Sequence, residues 1–340
     1  MSETVLDVRG LTVVFPTLEG DVRAVSDLSY TLHRGETLGI VGESGSGKSV
    51  SSLALMGLLN RERAHISGEA VLGGRDILSL QPDEMLQLRG KDIAMIFQDP
   101  FACLHPMHRV GDQIAEAVTA HANVSKSDAS RQAVELLRAV GIPRADDRAR
   151  DYPHQFSGGM RQRAMIAMAL AHKPSVLIAD EPTTALDVTV QAQILELIEL
   201  VKKDFDIGVI LITHDLGVIA ETADTVLVMY AGRAMESGPA RELFASPQHP
   251  YTWGLLRSMP TIEFRLDELV AIEGTPPSLV DVPSGCAFHP RCPHRFAPCS
   301  TELPELRALP GGHLDRCHLS PEQKREAGAS SVSERRSAAR

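Results

Sequence analysis

The sequence predicts an α/β fold with a mixed, mainly parallel sheet, an antiparallel β portion at the N-terminus and a helical segment inserted between strands. Short apolar runs predict four buried strands, Thr37–Val41, Ile93–Phe97, Val176–Ala179 and Gly208–Thr213. Stretches with helix-like spacing of apolar residues separate these runs. Strands that alternate with helices are typical of a parallel sheet, because each helix carries the chain back across one face.

The antiparallel portion precedes the first of these runs. Leu6–Phe15 and Asp27–Leu32 alternate between apolar and polar residues, as half-buried strands do, and Val22–Val25 continues the pattern. Phe15 lies near the end of the first strand. Its ring suits either a core position or stacking on a flat base, and its position alone leaves both alternatives open.

Composition narrows the class of protein. The chain has 340 residues, which favours one large domain with a smaller appendage. The formal net charge of −10 argues against a nucleic-acid-binding protein, which normally carries a basic surplus. No apolar run has the length of a membrane span, and residues 1–7 lack the pattern of a signal peptide. We therefore expect a cytosolic protein that contacts a membrane only through partners.

Residues 42–49 read G-x-x-x-x-G-K-S and stand between a predicted strand and a predicted helix, Val50–Leu59. This is the context that a phosphate-binding P-loop needs. Glycine lets such a loop wrap closely, so that successive N–H groups point at phosphate oxygens. Lys48 would supply a charge to the β- and γ-phosphates, and Ser49 a hydroxyl to Mg²⁺. The other residues of the loop are Gly42, Glu43, Ser44, Gly45, Ser46 and Gly47.

Gln98 stands directly after the second buried strand. A glutamine there can reach a ligand crevice, although alone it is more often a solvated turn residue. Residues 99–174 then look mostly helical, with apolar spacing at Val110–Ala122 and Ala129–Val140. Since this block lies between strands, it predicts an inserted helical subdomain.

Ser157-Gly158-Gly159 stands near the end of this block, ahead of a predicted helix from Gln162 to Ala171. Serine is a preferred helix N-cap residue, and the N-terminus of a helix attracts anions. The segment therefore predicts a second anion site, with simple helix capping as the plainer alternative.

Two carboxylates, Asp180 and Glu181, follow the third buried strand. Asp180 is placed to bind Mg²⁺, and Glu181 is placed to orient or deprotonate an attacking water. His214 follows the fourth buried strand, where it could contact a γ-phosphate, although a lone histidine is more often structural. The remaining predicted elements are a strand at Ala70–Gly74, helices at Pro82–Leu88 and Val188–Asp204, and a hairpin of Thr225–Tyr230 and Arg233–Ser237.

The order of these motifs resembles that of the ATP-binding subunit of an ABC transporter over residues 1–240. The resemblance implies an ABC-type P-loop ATPase domain in which residues 99–174 form the helical subdomain. This chain carries one set of motifs, whereas in the family the P-loop of one subunit meets the signature motif of another, with ATP between them. The resemblance therefore implies a chain that is active as a dimer.

The resemblance also implies a role for each motif residue. Gly42–Ser49 would be the Walker A motif, and Phe15 the aromatic that stacks on the base. Mg²⁺ would be held by Ser49, Gln98 and Asp180. Catalysis would be carried out by Glu181, His214 and Gln98. The signature motif would be Ser157, Gly158 and Gly159, and the D-loop residue Asp187. Met160 departs from the family, which usually has glutamine there.

The C-terminal residues narrow the resemblance. Ser246–Thr252 is similar to a segment typical of dipeptide, oligopeptide and nickel importer ATPases, which makes residues 241–320 an extension of that type. Cys286, Cys292, Cys299 and Cys317 follow with the spacing C-x5-C-x6-C-x17-C. In the resembled subfamily this region can carry a 4Fe–4S cluster, but spacing alone does not separate iron–sulfur from zinc or from free thiols.

Two other predictions concern the same end of the chain and the fifth cysteine. Residues 321–340 are polar and alanine-rich, and this composition predicts a disordered tail. Cys103, which lies soon after Gln98, is predicted to be structural.

The resemblance implies an ATPase subunit that drives uptake of di- or oligopeptides from the cytoplasmic face of the membrane. Its partners would be a different second ATPase subunit, two transmembrane permease subunits and an extracytoplasmic substrate-binding protein, with no nucleic acid. Nickel, glutathione or another small solute remain alternative cargoes, because an ATPase subunit does not touch cargo. The single cassette and the negative charge argue against a soluble ABC ATPase that acts on DNA or ribosomes. The presence of Glu181 and His214 argues against a regulatory module that binds nucleotide without hydrolysing it.

Overall fold

The fold of this computed structural model consists of two sheets with helices packed around them, described for residues 3–184, 186–258 and 271–327. The strands are β1 (Thr4–Thr17), β2 (Gly20–His33), β3 (Thr37–Val41), β4 (His65–Leu72), β5 (Arg75–Asp76), β6 (Ile93–Ile96), β7 (Val176–Asp180), β8 (Gly208–Ile212), β9 (Thr225–Tyr230), β10 (Arg233–Pro239), β11 (Arg307–Ala308) and β12 (Leu314–Asp315). The helices are α1 (Lys48–Leu55), α2 (Pro82–Leu88), α3 (Pro100–Cys103), α4 (Val110–His121), α5 (Lys126–Ala139), α6 (Ala145–Arg148), α7 (Gly158–Ala169), α8 (Val188–Phe205), α9 (Leu216–Thr222), α10 (Ala240–Ala245) and α11 (Pro250–Arg257).

The N-terminal sheet is antiparallel, with the strand order β2-β1-β4-β5. Its inner face is made by alternate apolar residues of β1, and Leu6, Leu11 and Val13 are fully buried there. The predicted segments Val22–Val25 and Asp27–Leu32 form one continuous strand, β2, which pairs with β1 through a register that places Phe15 opposite Val22.

The main sheet has the order β11-β12-β10-β9-β3-β8-β7-β6. The five strands from β9 to β6 run parallel, whereas β10, β11 and β12 are antiparallel to their neighbours. Every residue of β3, β7 and β8 is buried. The prediction of a mixed sheet with an antiparallel N-terminal portion is confirmed. Because parallel strands end at the same edge, the segments after β3, β6, β7 and β8 meet there.

The helical segment between β6 and β7 packs α4 against α5 and α7 around Ile114, Ala133 and Leu137. Helix α7 begins at Gly158, four residues before the predicted start at Gln162, because Ser157 caps it directly. Helix α1 ends at Leu55, before the predicted Leu59. The chain leaves it in a Schellman-type turn, in which the N–H of Leu58 donates to the carbonyl of Leu53 at 2.9 Å.

The C-terminal region packs back onto the main sheet. Strand β12 pairs with β10, so that Glu236 lies opposite Asp315, and both side chains are fully buried. Residues 321–327 are helical, and Lys324 is buried against the carboxylate of Asp315. The predicted disorder is therefore wrong for residues 321–327, and residues 328–340 lie outside the described residues. Within the described parts of the chain, none of the helices has the length and apolar character needed to cross a membrane.

Candidate functional site

The loop between β3 and α1 is packed tightly against backbone. At Gly42 the φ angle is 153°, and a Cβ built there would lie 2.2 Å from the carbonyl oxygen of Met229. No side chain can occupy that space, so glycine is required for the loop to leave β3 in this direction. The N-terminus of α1 then points into the concave side of the loop, the arrangement that binds phosphate.

Lys48 is buried at the first position of α1. Its Nζ donates hydrogen bonds to the carbonyl oxygens of Gly42 at 2.7 Å and Glu43 at 3.0 Å. Burial lowers the pKa of the Lys48 ammonium, and the nearby carboxylates of Glu181 and Asp180 oppose that effect. The loop therefore holds a donor whose charge is poorly solvated and lies where an anion would bind.

Ser49 and Asp180 bring two hard oxygen ligands together. The Ser49 hydroxyl donates to Asp180 Oδ1 at 3.0 Å, and Asp180 is buried at the end of β7. Burial raises the pKa of the Asp180 carboxyl, against the effects of the Ser49 hydrogen bond and the Lys48 charge. Hydroxyl and carboxylate oxygens are ligands that Mg²⁺ prefers, so this pair could hold that ion beside the loop.

Glu181 is held by side chains from two other segments and from its own turn. Gln98 Nε2 donates to its Oε2 at 2.9 Å, Thr184 Oγ1 donates to the same oxygen at 2.8 Å, and His214 Nδ1 lies 3.3 Å from its Oε1. Partial burial opposes ionisation of Glu181. The hydrogen bonds from Thr184 and His214 and the charge of Lys48 nevertheless lower its pKa. The group is therefore a carboxylate at neutral pH.

The backbone of Glu181 is also unusual. Its φ angle is 47°, in the left-handed region that residues with a side chain rarely adopt, and its N–H donates to the carbonyl of Ile212 at 2.8 Å. This conformation turns the carboxylate away from the direction of β7 toward Gln98 and His214. An oriented carboxylate of this kind can align a water molecule and accept its proton.

The predicted residues Gln98, Asp180, Glu181 and His214 thus come together at one edge of the main sheet. Thr184 is a member of this group that the sequence analysis missed. The only sequence signal for it is its position three residues after Glu181, which lets a turn bring its hydroxyl back to the carboxylate.

Phe15 is partly buried on β1, and its strand partner Val22 lines a cavity beside the phosphate-binding loop. Directly opposed residues of an antiparallel pair share a face, so Phe15 stands on the same face of the sheet as Val22. Its side chain packs against the apolar core and is not among the residues that line the cavity. The cavity has a volume of about 280 Å³. Its other walls are formed by residues 43–46, 230–231 and 276–280.

The Ser157–Gly159 segment caps α7, with Ser157 Oγ accepting a hydrogen bond from the N–H of Met160 at 3.3 Å. A Cβ at Gly159 would lie 2.7 Å from Val190 Cγ1 on α8, so this close approach of two helices requires glycine. Asp187 caps α8 and accepts from the N–H of Val190 at 3.0 Å. Among the described residues, no hydrogen bond joins Ser157–Gly159 to the phosphate-binding loop of the same chain.

Cys286, Cys292, Cys299 and Cys317 line one small cavity, of about 10 Å³, and all four are free thiols. Burial, with smaller effects of the neighbouring thiols, raises the pKa of Cys292 to about 12 and that of Cys317 to about 11. In the described residues, no group of three or more His, Cys, Asp or Glu side chains is arranged to hold a single metal ion. The predicted iron–sulfur cluster is therefore not supported by this geometry, although the four thiols form a suitable donor set.

Cys103 lies elsewhere, half-buried on the helical segment, where burial raises the pKa of its thiol. It lines an apolar groove next to Gln98 and Asp180 rather than the cavity of the other four cysteines. Its location is consistent with the predicted structural role.

The C-terminal region contacts the phosphate-binding loop directly. Arg291 forms an ion pair with Glu43, with Arg291 Nη1 2.6 Å from Glu43 Oε2. The N–H of Glu43 also donates to Tyr251 Oη at 2.9 Å. The sequence analysis missed both contacts.

Comparison with known proteins places the chain in a family. The profile of the ABC transporter family matches residues 25–184, and the profile of the oligopeptide/dipeptide transporter C-terminal region matches residues 235–299. The chain is 52% identical to the oligopeptide transport ATP-binding protein OppD of Salmonella typhimurium over 322 residues, which is 95% of this chain and 96% of that protein. It is 49% identical to the dipeptide transport ATP-binding protein DppD of Bacillus subtilis, over 96% of this chain and 97% of that protein.

Solved structures agree with this placement. A dimeric, post-hydrolysis state of the ATP-binding cassette MJ0796 bound to ADP and Pi aligns with a TM-score of 0.62 and 26% identity, over 69% of this chain and 99% of that chain. CbiO1 from Clostridium perfringens, part of the ABC transporter complex cbiONQ, aligns with a TM-score of 0.61 and 26% identity, over 72% of this chain and 91% of that one. The chain therefore belongs to the ABC transporter family, among the ATP-binding proteins that carry the oligopeptide/dipeptide transporter C-terminal region.

Proposed function

We propose that this chain is the ATP-binding and ATP-hydrolysing subunit of an ABC importer for di- or oligopeptides. The observation that carries the proposal is the Glu181 carboxylate, which Gln98, Thr184 and His214 hold beside the Ser49–Asp180 pair. The names of the relatives, oligopeptide and dipeptide transport ATP-binding proteins, favour peptide as cargo over nickel, glutathione or another small solute.

In this proposal the loop of residues 42–49 wraps the phosphates of ATP, and Lys48 leaves its carbonyl partners to bind the β- and γ-phosphates. Ser49, Asp180 and Gln98 would hold Mg²⁺, which would supply positive charge to stabilise the negative charge that develops on the phosphates. Phe15 stacks on the base, since its strand partner Val22 lines the cavity next to the loop.

Glu181 orients the attacking water and accepts its proton in the proposed reaction. The position of its carboxylate depends on the hydrogen bonds from Gln98 and Thr184, and its lowered pKa means that the group is ionised at neutral pH. His214 stands at the other oxygen of this carboxylate, Oε1, and in the proposed site it contacts the γ-phosphate. The position of the segment after β8 then depends on whether the γ-phosphate is present.

The second half of the proposed site comes from a partner ATPase subunit. The segment Ser157–Gly159 and the D-loop residue Asp187 lie next to each other across the α7–α8 contact. A helix N-terminus of this kind binds the γ-phosphate held in the partner's loop, and ATP then favours the closed dimer over the open one. We propose a different ATPase subunit of the same family as the partner, which makes a heterodimer.

The membrane partners dock, we propose, in the apolar groove between α1, the end of β6 and α7. This groove has a volume of about 730 Å³. Its apolar lining includes Leu53, Met56, Leu58, Phe97, Met165 and Met168. It also contains Ser49, Gln98 and Asp180, so an occupant of the groove lies next to the proposed magnesium ligands. A short helix of one permease subunit fits such a groove, and the second permease subunit would dock on the partner ATPase subunit, with both ATPase subunits at the cytoplasmic face and a substrate-binding protein outside.

Capture of the tagged protein from detergent-solubilised membranes tests this assignment. We expect two integral membrane subunits and a second ATPase subunit to be recovered, and mass spectrometry of the captured substrate-binding protein to find bound peptides. Leu58→Glu places a charge in the apolar groove and should abolish recovery of the membrane subunits at an unchanged melting temperature. Leu200→Glu is the matched control, because Leu200 is also an exposed leucine but lies on α8, outside the groove.

Two outcomes of this capture would contradict the proposal. Recovery of soluble proteins or ribosomes without membrane subunits would favour a soluble ABC ATPase. Retention of the membrane subunits by the Leu58→Glu variant would place the docking site elsewhere. A nickel complex or glutathione in the substrate-binding protein would leave the transport role but replace the peptide cargo.

We also propose that Cys286, Cys292, Cys299 and Cys317 hold a 4Fe–4S cluster. The support is that the four thiols line a single cavity, although burial raises the pKa of Cys286, Cys292 and Cys317, which would bind as thiolates. Protein purified without oxygen should contain iron and acid-labile sulfide in equal amounts, and replacement of the four residues by serine should remove both. Cys103→Ser is the control that keeps them. Stoichiometric zinc without sulfide, or no metal, would contradict the cluster.

A further inference from the structure

Arg291 makes a two-point contact with the phosphate-binding loop. Its Nη1 lies 2.6 Å from Glu43 Oε2 and its Nη2 lies 3.0 Å from Glu43 Oε1, so the guanidinium and the carboxylate meet as parallel forks. The Arg291 side chain is only 6% exposed, which protects this ion pair from solvent screening. The same guanidinium donates to the carbonyls of Glu273 and Ile272, which fix it to the C-terminal region.

A second contact holds the backbone at the same position. The N–H of Glu43 donates to Tyr251 Oη at 2.9 Å, and Tyr251 is fully buried. Its ring packs against Tyr230 and Phe288, with centroids 4.7 and 5.3 Å away. The C-terminal region therefore holds both the side chain and the peptide group of Glu43.

Glu43 lies within the loop that surrounds the phosphates. Its carbonyl oxygen and that of Gly42 accept the hydrogen bonds from Lys48 Nζ. The peptide group between Gly42 and Glu43 carries both the N–H that Tyr251 accepts and the Gly42 carbonyl that accepts from Lys48, so a shift of the backbone at Glu43 would move an acceptor that positions the Lys48 ammonium. The Glu43 carboxylate itself points toward Arg291, and the guanidinium charge compensates the carboxylate charge. Glu43 therefore repels an anion bound in the loop only weakly.

We propose that Arg291 is a positioning residue for the phosphate-binding loop, acting through Glu43 to set the affinity for ATP. The C-terminal region thereby regulates the nucleotide site of its own chain. Arg291 ends the short 3₁₀ turn His289–Arg291, between Cys286 and Cys292, so a rearrangement around these cysteines changes where the guanidinium stands. This proposal rests on the proposed function, because it requires that the loop binds ATP.

A double-mutant cycle in the purified full chain tests the coupling. The variants are Arg291→Gln, Glu43→Gln and the double variant, and the measurements are the dissociation constant for a fluorescent ATP analogue with Mg²⁺, KM and kcat. We expect each single variant to weaken nucleotide affinity and raise KM roughly tenfold, the order of coupling between linked sites. Because both changes break the same contact, the double variant should be no weaker than either single variant.

Arg295→Gln is the matched control. Arg295 belongs to the same segment, but its side chain is exposed and its guanidinium donates to the carbonyl of Pro290 rather than to the phosphate-binding loop. It should leave affinity and KM unchanged. Glu43→Gln also provides a test that leaves the C-terminal region intact if Arg291→Gln lowers the yield of folded protein.

Two results would overturn the positioning role. One is a lowered melting temperature for both single variants with unchanged affinity and KM, which would make the contact purely structural. The other is a double variant whose loss of affinity is the product of the two single losses, since independent sites add in free energy. Lys48→Ala separates this proposal from the proposed function. If that variant also left nucleotide affinity unchanged, the result would contradict ATP binding by residues 42–49 rather than the positioning role of Arg291.

Discussion

Glu181→Gln is expected to lower the steady-state rate of ATP hydrolysis by roughly 10²- to 10⁴-fold, the range that a general base contributes. Glutamine keeps the size of the side chain, and its carbonyl oxygen can still accept the hydrogen bonds from Gln98 and Thr184. It cannot accept a proton from water. The variant should therefore bind MgATP normally and remain in the closed dimer.

The rate of ATP hydrolysis is measured from the release of inorganic phosphate. The fraction of protein in the dimer is measured by size-exclusion chromatography in the presence of MgATP and the second ATPase subunit. Glu199→Gln is the matched control, because Glu199 lies on α8, where it pairs with Lys202 and Lys203. The control should hydrolyse ATP at the rate of the unaltered protein. If Glu181→Gln kept its turnover, the proton would have to go to another group, and Glu181 would lose the role of base.

Lys48→Ala is expected to weaken the affinity for MgATP by roughly 10- to 100-fold, because a hydrogen bond to a charged group contributes about 1.5–3 kcal/mol. The substitution also removes the donor that joins the carbonyls of Gly42 and Glu43. Two acceptors in the loop then lack their partner, which adds to the loss of preorganisation.

Titration calorimetry with MgATP and MgADP measures both affinities. The loss should be larger for MgATP, since Lys48 binds the γ- as well as the β-phosphate. Lys203→Ala, which removes an exposed charge on α8, should change neither value. Unaltered ATP affinity in Lys48→Ala would count against a P-loop at residues 42–49.

The fold and most of the site could be predicted because their signals are local in sequence. Each of Gln98, Asp180, Glu181 and His214 stands directly after an apolar run that is long enough for a buried strand. Parallel strands end at the same edge, so residues from three separate stretches of sequence are expected to form one cluster of side chains. The hydrogen bond between Ser49 and Asp180 joins residues 131 positions apart that the same reasoning brings together.

The contacts that were missed have no local signal. Arg291 and Glu43 are 248 residues apart, and neither position is marked by periodicity or by a turn. Strands β11 and β12 have two residues each, which is too short for any alternation to appear. Lys324 lies in a polar stretch whose composition predicts disorder, yet the buried carboxylate of Asp315 holds it in place.

Pairing between β12 and β10 has a consequence for any shorter version of this protein. In a chain cut after residue 240, β10 would become an open edge, a template on which strands of other molecules can add. The Glu236 carboxylate would also lose the N–H donors of Gln248 and His249, which lie 2.6 and 2.9 Å away, and the imidazole of His313. Solubility of the ATPase portion thus depends on residues that lie far outside its motifs.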